Sequence, residues 1–186
     1  MTYSNITYFN IEDSDKYAND TRGNTMNTSN FMTESTRDMI LKQIDDLENQ
    51  KPAISDQIGS ARLQGGLEEN EELIMALEAM QWVDMEIHRH KEKLVDVQII
   101  QPLSPGTRSV VSIGTTVTIL NVDTDKESTY TIFGEHDSDP ANGIISMKSP
   151  LGQELIGRSV GDEVEITAGN KSIEYEIIKI VVKKHH

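Results

Sequence analysis

The sequence contains no cysteine, so disulfide bonds, thiolate metal ligands and a cysteine nucleophile are excluded. Aromatic residues make up only 5% of the 186 residues, which argues against a platform for stacking nucleic-acid bases. Basic residues are also scarce, because 17 Lys and Arg stand against 31 Asp and Glu and give a formal net charge of -14. Contacts with phosphates need clustered Lys and Arg, so we expect no strong binding to free nucleic acid.

The chain also lacks a long apolar run and has no basic, apolar leader at its start. We therefore expect no signal peptide, no membrane partner and a cytoplasmic location. Residues 1–32 are rich in Asn, Thr, Ser and Asp and show no clear periodicity. This composition is typical of a flexible polar arm, in which a short strand around residues 6–11 is the one element suggested.

Two apolar repeats of 3.5 residues occupy positions 33–100. The first comprises Ile40, Ile44, Leu47, Ile54, Ile58 and Ala61, and the second comprises Leu73, Ala76, Met80, Val83, Ile87, His90, Leu94 and Val97. Such repeats are the signature of a coiled-coil seam. Because Gly65 and Gly66 separate them, we expect an antiparallel helical hairpin that turns at these glycines. Thr33 or Ser35 is expected to cap the first helix, and Pro52 to kink it.

Four carboxylates follow the glycines within five positions, at Glu68, Glu69, Glu71 and Glu72. One interpretation is structural, since acidic residues at a helix N-terminus are stabilised by the helix dipole. The other is functional, because exposed carboxylates supply the hard oxygen ligands that Mg²⁺ prefers. The residue pattern by itself leaves both interpretations open.

The period changes to two beyond a Pro- and Gly-containing linker at 101–107. We expect an antiparallel β domain over 108–184 with one short helix, begun by Ser149 as N-cap and Pro150 at the first position. The whole chain is then an α+β protein. Acidic residues between Glu135 and Asp139 are interpreted as a solvated turn.

Several segments resemble the bacterial Gre-type transcript cleavage factors, GreA and GreB. The segment ARLQGGLEENEE at 61–72 is similar to the tip pattern of that family, and SPLGQELIG at 149–157 is similar to its Ser-Pro helix. Further similarity lies at IGTTVT, 113–118, and at VGDEV, 160–164. The similarity extends over roughly residues 33–183, so the polar arm lies outside it.

The resemblance implies a fold and a mechanism. The β domain would be FKBP-like and would dock, through Ser149 and Pro150, at the secondary channel of RNA polymerase. Glu69 and Glu68 would be the catalytic carboxylates, holding Mg²⁺ that is shared with the polymerase and not bound by the free protein. The polymerase would then cleave the 3′ end of backtracked nascent RNA. The residues that the resemblance assigns to tip support are Arg62, Gly65, Gly66, Asn70 and Glu72.

The resemblance therefore implies that the protein is not an enzyme itself. It would be a transcription elongation factor that acts on the active site of the polymerase, and DNA binding is a property commonly assigned to the Gre family. Three positions depart from the family pattern: Gly66 replaces an aspartate, Leu73 a tyrosine and Leu77 a basic residue. These departures favour a second hypothesis, a Gre-like regulator or inhibitor that occupies the channel without cleavage. A prolyl isomerase module and a purely structural coiled-coil adaptor are the remaining alternatives.

Overall fold

The computed structural model describes residues 7–9, 30–63, 70–101, 103–168 and 171–183. The chain divides into two compact units. Residues 37–95 form a helical unit, and the segments 1–36 and 96–186 form a unit of β-sheets. The protein is therefore α+β, with a helical hairpin and a mixed sheet, as the sequence predicts at this coarser level. None of the described helices is long and apolar enough to cross a bilayer.

Three helices build the hairpin: α1 (Glu34–Glu48), α2 (Lys51–Arg62) and α3 (Glu71–Lys93). The sequence predicts one kinked helix before the glycines, but the structure has two. Helix α1 ends at Glu48, and Pro52 lies in the first turn of α2. A proline is tolerated there because the N–H groups of the first turn have no partner within the helix.

The helices on the two sides of the hairpin run in opposite directions. Lys91 Nζ donates to Glu48 Oε1 at 2.9 Å, and Lys51 Nζ donates to Asp84 Oδ1 at 2.6 Å. The residue number on α3 falls from 91 to 84 as the number of its partner rises from 48 to 51, which is the pattern of antiparallel helices. Most of the predicted seam is buried, namely Ile40, Ile44, Leu47, Ala61, Leu73, Ala76, Val83, Ile87, His90, Leu94 and Val97. Ile54, Ile58 and Met80 are only half-buried.

His90 is the one titratable side chain in this set. It is 8% exposed, and its Nδ1 has no hydrogen-bond partner among the described residues. Its Nε2 lies 4.0 Å from the Glu86 carboxylate. Burial lowers the pKa of His90, and the neighbouring charges of Lys93 and Arg89 lower it further, whereas Glu86 opposes the shift. The neutral imidazole is therefore the form that the folded hairpin accommodates.

We predict that His90 makes the hairpin less stable in mild acid. The pKa of His90 is lower in the folded than in the unfolded chain. Its contribution to the free energy of unfolding is therefore fully present above the unfolded pKa of about 6.5 and decreases as the pH falls below that value. His90→Leu should weaken this dependence between about pH 7 and 5. Urea unfolding followed by circular dichroism at both pH values measures it. Gln81→Leu, at an exposed position of α3 that carries no titratable group, provides the control and should keep the wild-type dependence.

The β unit begins with a small parallel sheet. Its strands are β1 (Thr7–Phe9), β2 (Asn30–Thr33) and β3 (Val97–Ile100), in the order β1-β3-β2. Strand β1 pairs Tyr8 with Ile99, and β2 pairs Met32 with the same residue on the other side. The central strand β3 therefore has both edges covered.

This sheet changes the predicted domain boundaries. Strand β2 lies at the end of the segment assigned to the polar arm, yet Phe31 and Met32 are 3% and 0% exposed. Strand β3 belongs to the β unit, although the sequence analysis assigns 33–100 to the hairpin. Strand β1 falls within the suggested strand at 6–11, and positions 1–6 and 10–29 of the predicted arm lie outside the described residues. The boundaries differ because each strand is short and pairs with a segment distant in sequence.

A second sheet contains β4 (Gly106–Thr107), β5 (Thr116–Asn121), β6 (Lys126–Phe133), β7 (Ile144–Ser146), β8 (Glu163–Ala168) and β9 (Lys171–Val182). Its order is β4-β9-β5-β6-β7, and β8 also pairs with β9. All pairs are antiparallel except β6 with β7, which is parallel. The prediction of a purely antiparallel domain is therefore wrong for this pair. The predicted linker also ends in a strand, since β4 pairs with β9.

The short helix α4 (Pro150–Leu155) completes the unit, and its start is as predicted. Phe31 of β2 and Ile100 of β3 share one buried core with the second sheet and with Leu155 of α4. The backbone approaches closely here, because a Cβ atom on Gly134 would lie 1.7 Å from the Phe31 carbonyl oxygen. Only glycine fits at that position.

Asp137 connects this region to the beginning of α1. Its carboxylate accepts hydrogen bonds from the Thr33 hydroxyl and the Thr36 hydroxyl, both at 2.5 Å, and from the Thr33 N–H at 3.1 Å. Thr33 Oγ1 in turn accepts from the Thr36 N–H at 3.3 Å, which confirms its predicted capping role. The interpretation of 135–139 as a merely solvated turn is wrong for Asp137, because its carboxylate holds the first turn of α1.

We predict that β1 protects the edge of β3. A chain lacking residues 1–9 should exchange the amide hydrogens of Val97–Ile100 faster by roughly tenfold or more, because one edge of β3 loses its hydrogen-bonded neighbour. Hydrogen exchange read by mass spectrometry measures this, with β5 as the internal control whose exchange stays unchanged. Equal protection of β3 in both proteins would contradict the pairing of β1.

Candidate functional site

The candidate site is the connection between α2 and α3. Helix α2 ends at Arg62, Leu63 follows in a turn, and the described chain resumes at Asn70. The predicted site residues Gly65, Gly66, Glu68 and Glu69 lie outside the described residues. Both ends of the connection are nevertheless described, and the side chain of Asn70 links them.

Asn70 joins the two helix ends. Its Oδ1 accepts a hydrogen bond from the Leu73 N–H at 3.0 Å, which caps the N-terminus of α3. Its Nδ2 donates to the Ala61 carbonyl oxygen at 2.7 Å, in the last turn of α2. An N-cap stabilises one helix, whereas this amide also holds the end of the other. Asn70 therefore makes a bridge that the sequence does not reveal, and its assignment to tip support stays a prediction.

The charges around Asn70 follow the helix dipoles. Glu71 and Glu72 lie in the first turn of α3 and are exposed, and Arg62 lies exposed in the last turn of α2. Acidic groups at a helix N-terminus and a basic group at a C-terminus are each stabilised by about 0.3–1 kcal/mol. Arg62 and Glu72 therefore have structural reasons for their positions.

The described residues contain no cluster of three or more His, Asp or Glu that could hold a metal ion. At the tip, both polar groups of the Asn70 side chain are engaged within the protein. The carboxylates of Glu68 and Glu69 immediately precede it in the sequence. Carboxylate oxygens suit Mg²⁺, which takes one or two of them and completes its shell with water or phosphate. Glu68 and Glu69 therefore have the donor chemistry that Mg²⁺ prefers, and their role as ligands of a shared ion stays a prediction.

The two apolar departures from the family pattern have packing roles. Leu73 is 5% exposed and belongs to the buried seam, and Leu77 is half-buried on α3. Leucine at these places provides apolar surface in place of a phenol or a positive charge. Any basic surface beside the tip must therefore come from other residues, of which Arg62 is one.

Ser149 and Pro150 form the start of α4 in the β unit. Ser149 Oγ accepts from the Gly152 N–H at 3.1 Å and donates to the Ser146 carbonyl oxygen at 2.6 Å. Pro150 occupies the first helical position, where its fixed φ suits a helix. These contacts explain the Ser-Pro motif through local structure, and the docking role assigned to it stays a prediction.

We predict that two substitutions of Asn70 separate the cap from the bridge. Asn70→Ala removes both hydrogen bonds and should destabilise the hairpin by about 1–2 kcal/mol. Asn70→Asp keeps an acceptor for the Leu73 N–H but has no donor for the Ala61 carbonyl, so its loss should be smaller. Urea unfolding curves measure both. Equal losses in the two proteins at high salt, where repulsion from the added negative charge is screened, would show that the cap does not contribute to stability.

Comparison with known families gives two matches that together span both units. The family model described as "Transcription elongation factor, N-terminal" matches residues 30–99. The model described as "Transcription elongation factor, GreA/GreB, C-term" matches residues 106–181. Strand β1 and the segment up to residue 29 lie outside both matches.

Curated relatives agree with these matches. The chain is 41% identical over 144 residues to the transcription elongation factor GreA of Helicobacter pylori, covering 77% of this chain and 86% of the relative. It is 40% identical over the same length to GreA of Helicobacter hepaticus, with the same coverage. Among solved structures, Gfh1 of Thermus thermophilus is similar at 16% identity with a TM-score of 0.36, covering 81% of this chain and 97% of that one. A GreA/GreB factor from Nitrosomonas europaea gives 24% identity and a TM-score of 0.36, covering 59% and 91%.

Proposed function

Since the chain belongs to the GreA/GreB family of transcription elongation factors, we propose that it binds RNA polymerase at the secondary channel and stimulates cleavage of backtracked nascent RNA. In this proposal the hairpin tip meets the RNA 3′ end within the complex. The β unit is FKBP-like and docks through the region of Ser149 and Pro150. The protein is a factor and not an enzyme, and it acts in the cytoplasm with its polymerase.

The observation that carries the proposal is the bridge made by Asn70. By tying the Ala61 carbonyl to the first turn of α3, it fixes both anchor points of a connection of six residues, 64–69. Glu69 directly precedes Asn70 in the sequence, and Asn70 is the residue that caps α3. Geometry of this kind supports catalysis, because a displacement of about 1 Å can cost about 100-fold in rate.

Glu69 and Glu68 are the residues that would hold Mg²⁺ together with groups of the polymerase. A bound Mg²⁺ activates water as a nucleophile and neutralises charge on the phosphate. The chain itself contributes the negative charge of the two carboxylates and their placement. Because it supplies only one or two ligands, it binds no such ion alone, and the polymerase completes the site.

The second candidate function rests on Gly66. Of the three departures from the Gre-type tip pattern, Gly66 is the one that replaces an aspartate, so one negative charge is missing near Glu68 and Glu69 in the sequence. A channel-binding regulator or inhibitor needs the hairpin and the β unit but not the full set of carboxylates. This candidate predicts polymerase binding without RNA shortening.

We predict that Glu69→Gln lowers RNA cleavage in stalled, backtracked complexes by about 100-fold, because a charged ligand is lost from the site. Binding to polymerase should be unchanged, since the hairpin still folds. Glu127→Gln, a substitution of an exposed carboxylate on β6, is the matched control and should cleave normally. RNA length on a denaturing gel at saturating factor provides the measurement.

The same assay distinguishes the two candidate functions. Absence of cleavage with the wild-type factor, together with normal binding to polymerase, rejects the first candidate and supports the regulator. In that case, cleavage gained by Gly66→Asp would identify the missing aspartate as the cause. Failure to bind polymerase at all would reject both candidates.

A further inference from the structure

Helix α3 carries large apolar side chains on a second face, away from the buried seam. Met75 is 70% exposed, Trp82 53% and Met85 57%. Trp82 is the only tryptophan of the chain. Exposed apolar groups that cluster in one place mark an interaction surface, whereas single ones need no explanation. The cluster on α3 is therefore a candidate contact surface that the family function does not require.

The exposed side chains are regularly spaced. Met75, Glu78, Trp82, Met85 and Arg89 follow one another in steps of three and four residues, and all five are exposed. We call this set the outer stripe. Its spacing is that of a coiled-coil seam, as in the buried seam of the same helix. The outer stripe is thus suited to contact another helix along its length.

The charges of the outer stripe point to a partner with the same sequence. Going from Glu78 to Arg89, the order is acidic, apolar, apolar, basic. In an antiparallel pair of identical helices, Trp82 lies opposite Met85 of the second copy, and Glu78 lies opposite Arg89. Among these four residues, each apolar one meets an apolar one and each charge meets its opposite, twice over because of the two-fold symmetry. Met75 lies outside this central set, opposite the exposed Glu92 of the second copy.

Other arrangements of two copies fit less well. A parallel pair places Glu78 beside Glu78 and Arg89 beside Arg89, which is repulsive. An antiparallel pair shifted by one heptad brings Met75 against Met85 and Glu71 against Arg89. It also places Glu78 against Trp82, so that the largest apolar side chain of the stripe faces a carboxylate. The central contact of the favoured pair also joins a Met sulfur to an aromatic ring, which adds about 0.3–1.5 kcal/mol.

We propose that the outer stripe of α3 is a self-association surface on which two copies of this chain pair antiparallel. This inference goes beyond the action on polymerase and does not depend on it. One helical stripe is smaller than a standard interface of about 1,600 Å². The dimer is therefore weak, with a dissociation constant of roughly tens of micromolar.

Trp82 makes the proposal measurable. Its emission should shift to shorter wavelength as the protein is concentrated from roughly 5 to 500 µM, a range that brackets the expected dissociation constant, because the indole leaves water when two copies pair. Sedimentation equilibrium over the same range should show the mass doubling. A chain that remains a monomer throughout would overturn the proposal.

Charge reversal tests the arrangement. Glu78→Arg alone, or Arg89→Glu alone, should weaken association about tenfold or more, since like charges then face one another. The chain carrying both substitutions should regain association to within about threefold of wild type, because the opposite charges are restored in exchanged positions. Met39→Arg, at an exposed methionine of α1, is the control and should associate as wild type does.

Arg89 also makes an ion pair with Glu86 within α3, so its reversal could weaken the helix itself. Circular dichroism must therefore show unchanged helix content in each variant, and Trp82→Gln provides a variant that leaves every charge in place. It should weaken dimerisation about tenfold or more, as expected for a central tryptophan of an interface. Well-folded double-reversal protein that stays monomeric, or unaltered association of Trp82→Gln, would refute the antiparallel pair.

Discussion

Burial of the apolar seam between the two sides of the hairpin is the constraint on which the candidate site depends. Each apolar residue removed from water contributes about 1.5–3 kcal/mol, so residues such as Val83 and Ile87 fix the register of α3 along α1 and α2. The ion pairs Glu48–Lys91 and Lys51–Asp84 follow from that register. They are exposed and contribute little energy. Lys91 nevertheless lowers the pKa of Glu48 through its hydrogen bond.

The same register places Glu71 and Glu72, two like charges that repel one another, next to each other at the start of α3. The dipole of α3 offsets part of this repulsion for Glu71 and Glu72, since both lie in its first turn. The amide of Asn70 is neutral, so it can cap α3 without adding a further negative charge. An aspartate at this position would cap equally well but would add to the repulsion and lose the donor to Ala61. This explains why an asparagine suits the middle of an acidic segment.

The sequence predicts the hairpin well because its signal is local and repeats every few residues. It predicts the caps Thr33 and Ser149 for the same reason. It does not predict that β2 is buried, because that strand has four residues and pairs with β3 more than sixty positions later. Nor does it reveal the Asp137 contact, which connects residues 104 positions apart. At the candidate site, the sequence predicts which residue types are present. The hydrogen bond from Asn70 to Ala61 is visible only in the structure.

Helix α3 has two apolar faces, the buried seam and the outer stripe. The net charge of the chain opposes association of two copies through the outer stripe. A chain with a formal charge of -14 repels its copies at long range, and salt screens this repulsion beyond about 8–10 Å. At contact, the Glu78 and Arg89 side chains of two copies attract one another at shorter distance. Salt therefore weakens the general repulsion and the specific attraction together, while burial of Trp82 and Met85 is nearly independent of it. Association through the outer stripe is thus governed by its apolar centre, and its charges select the antiparallel arrangement.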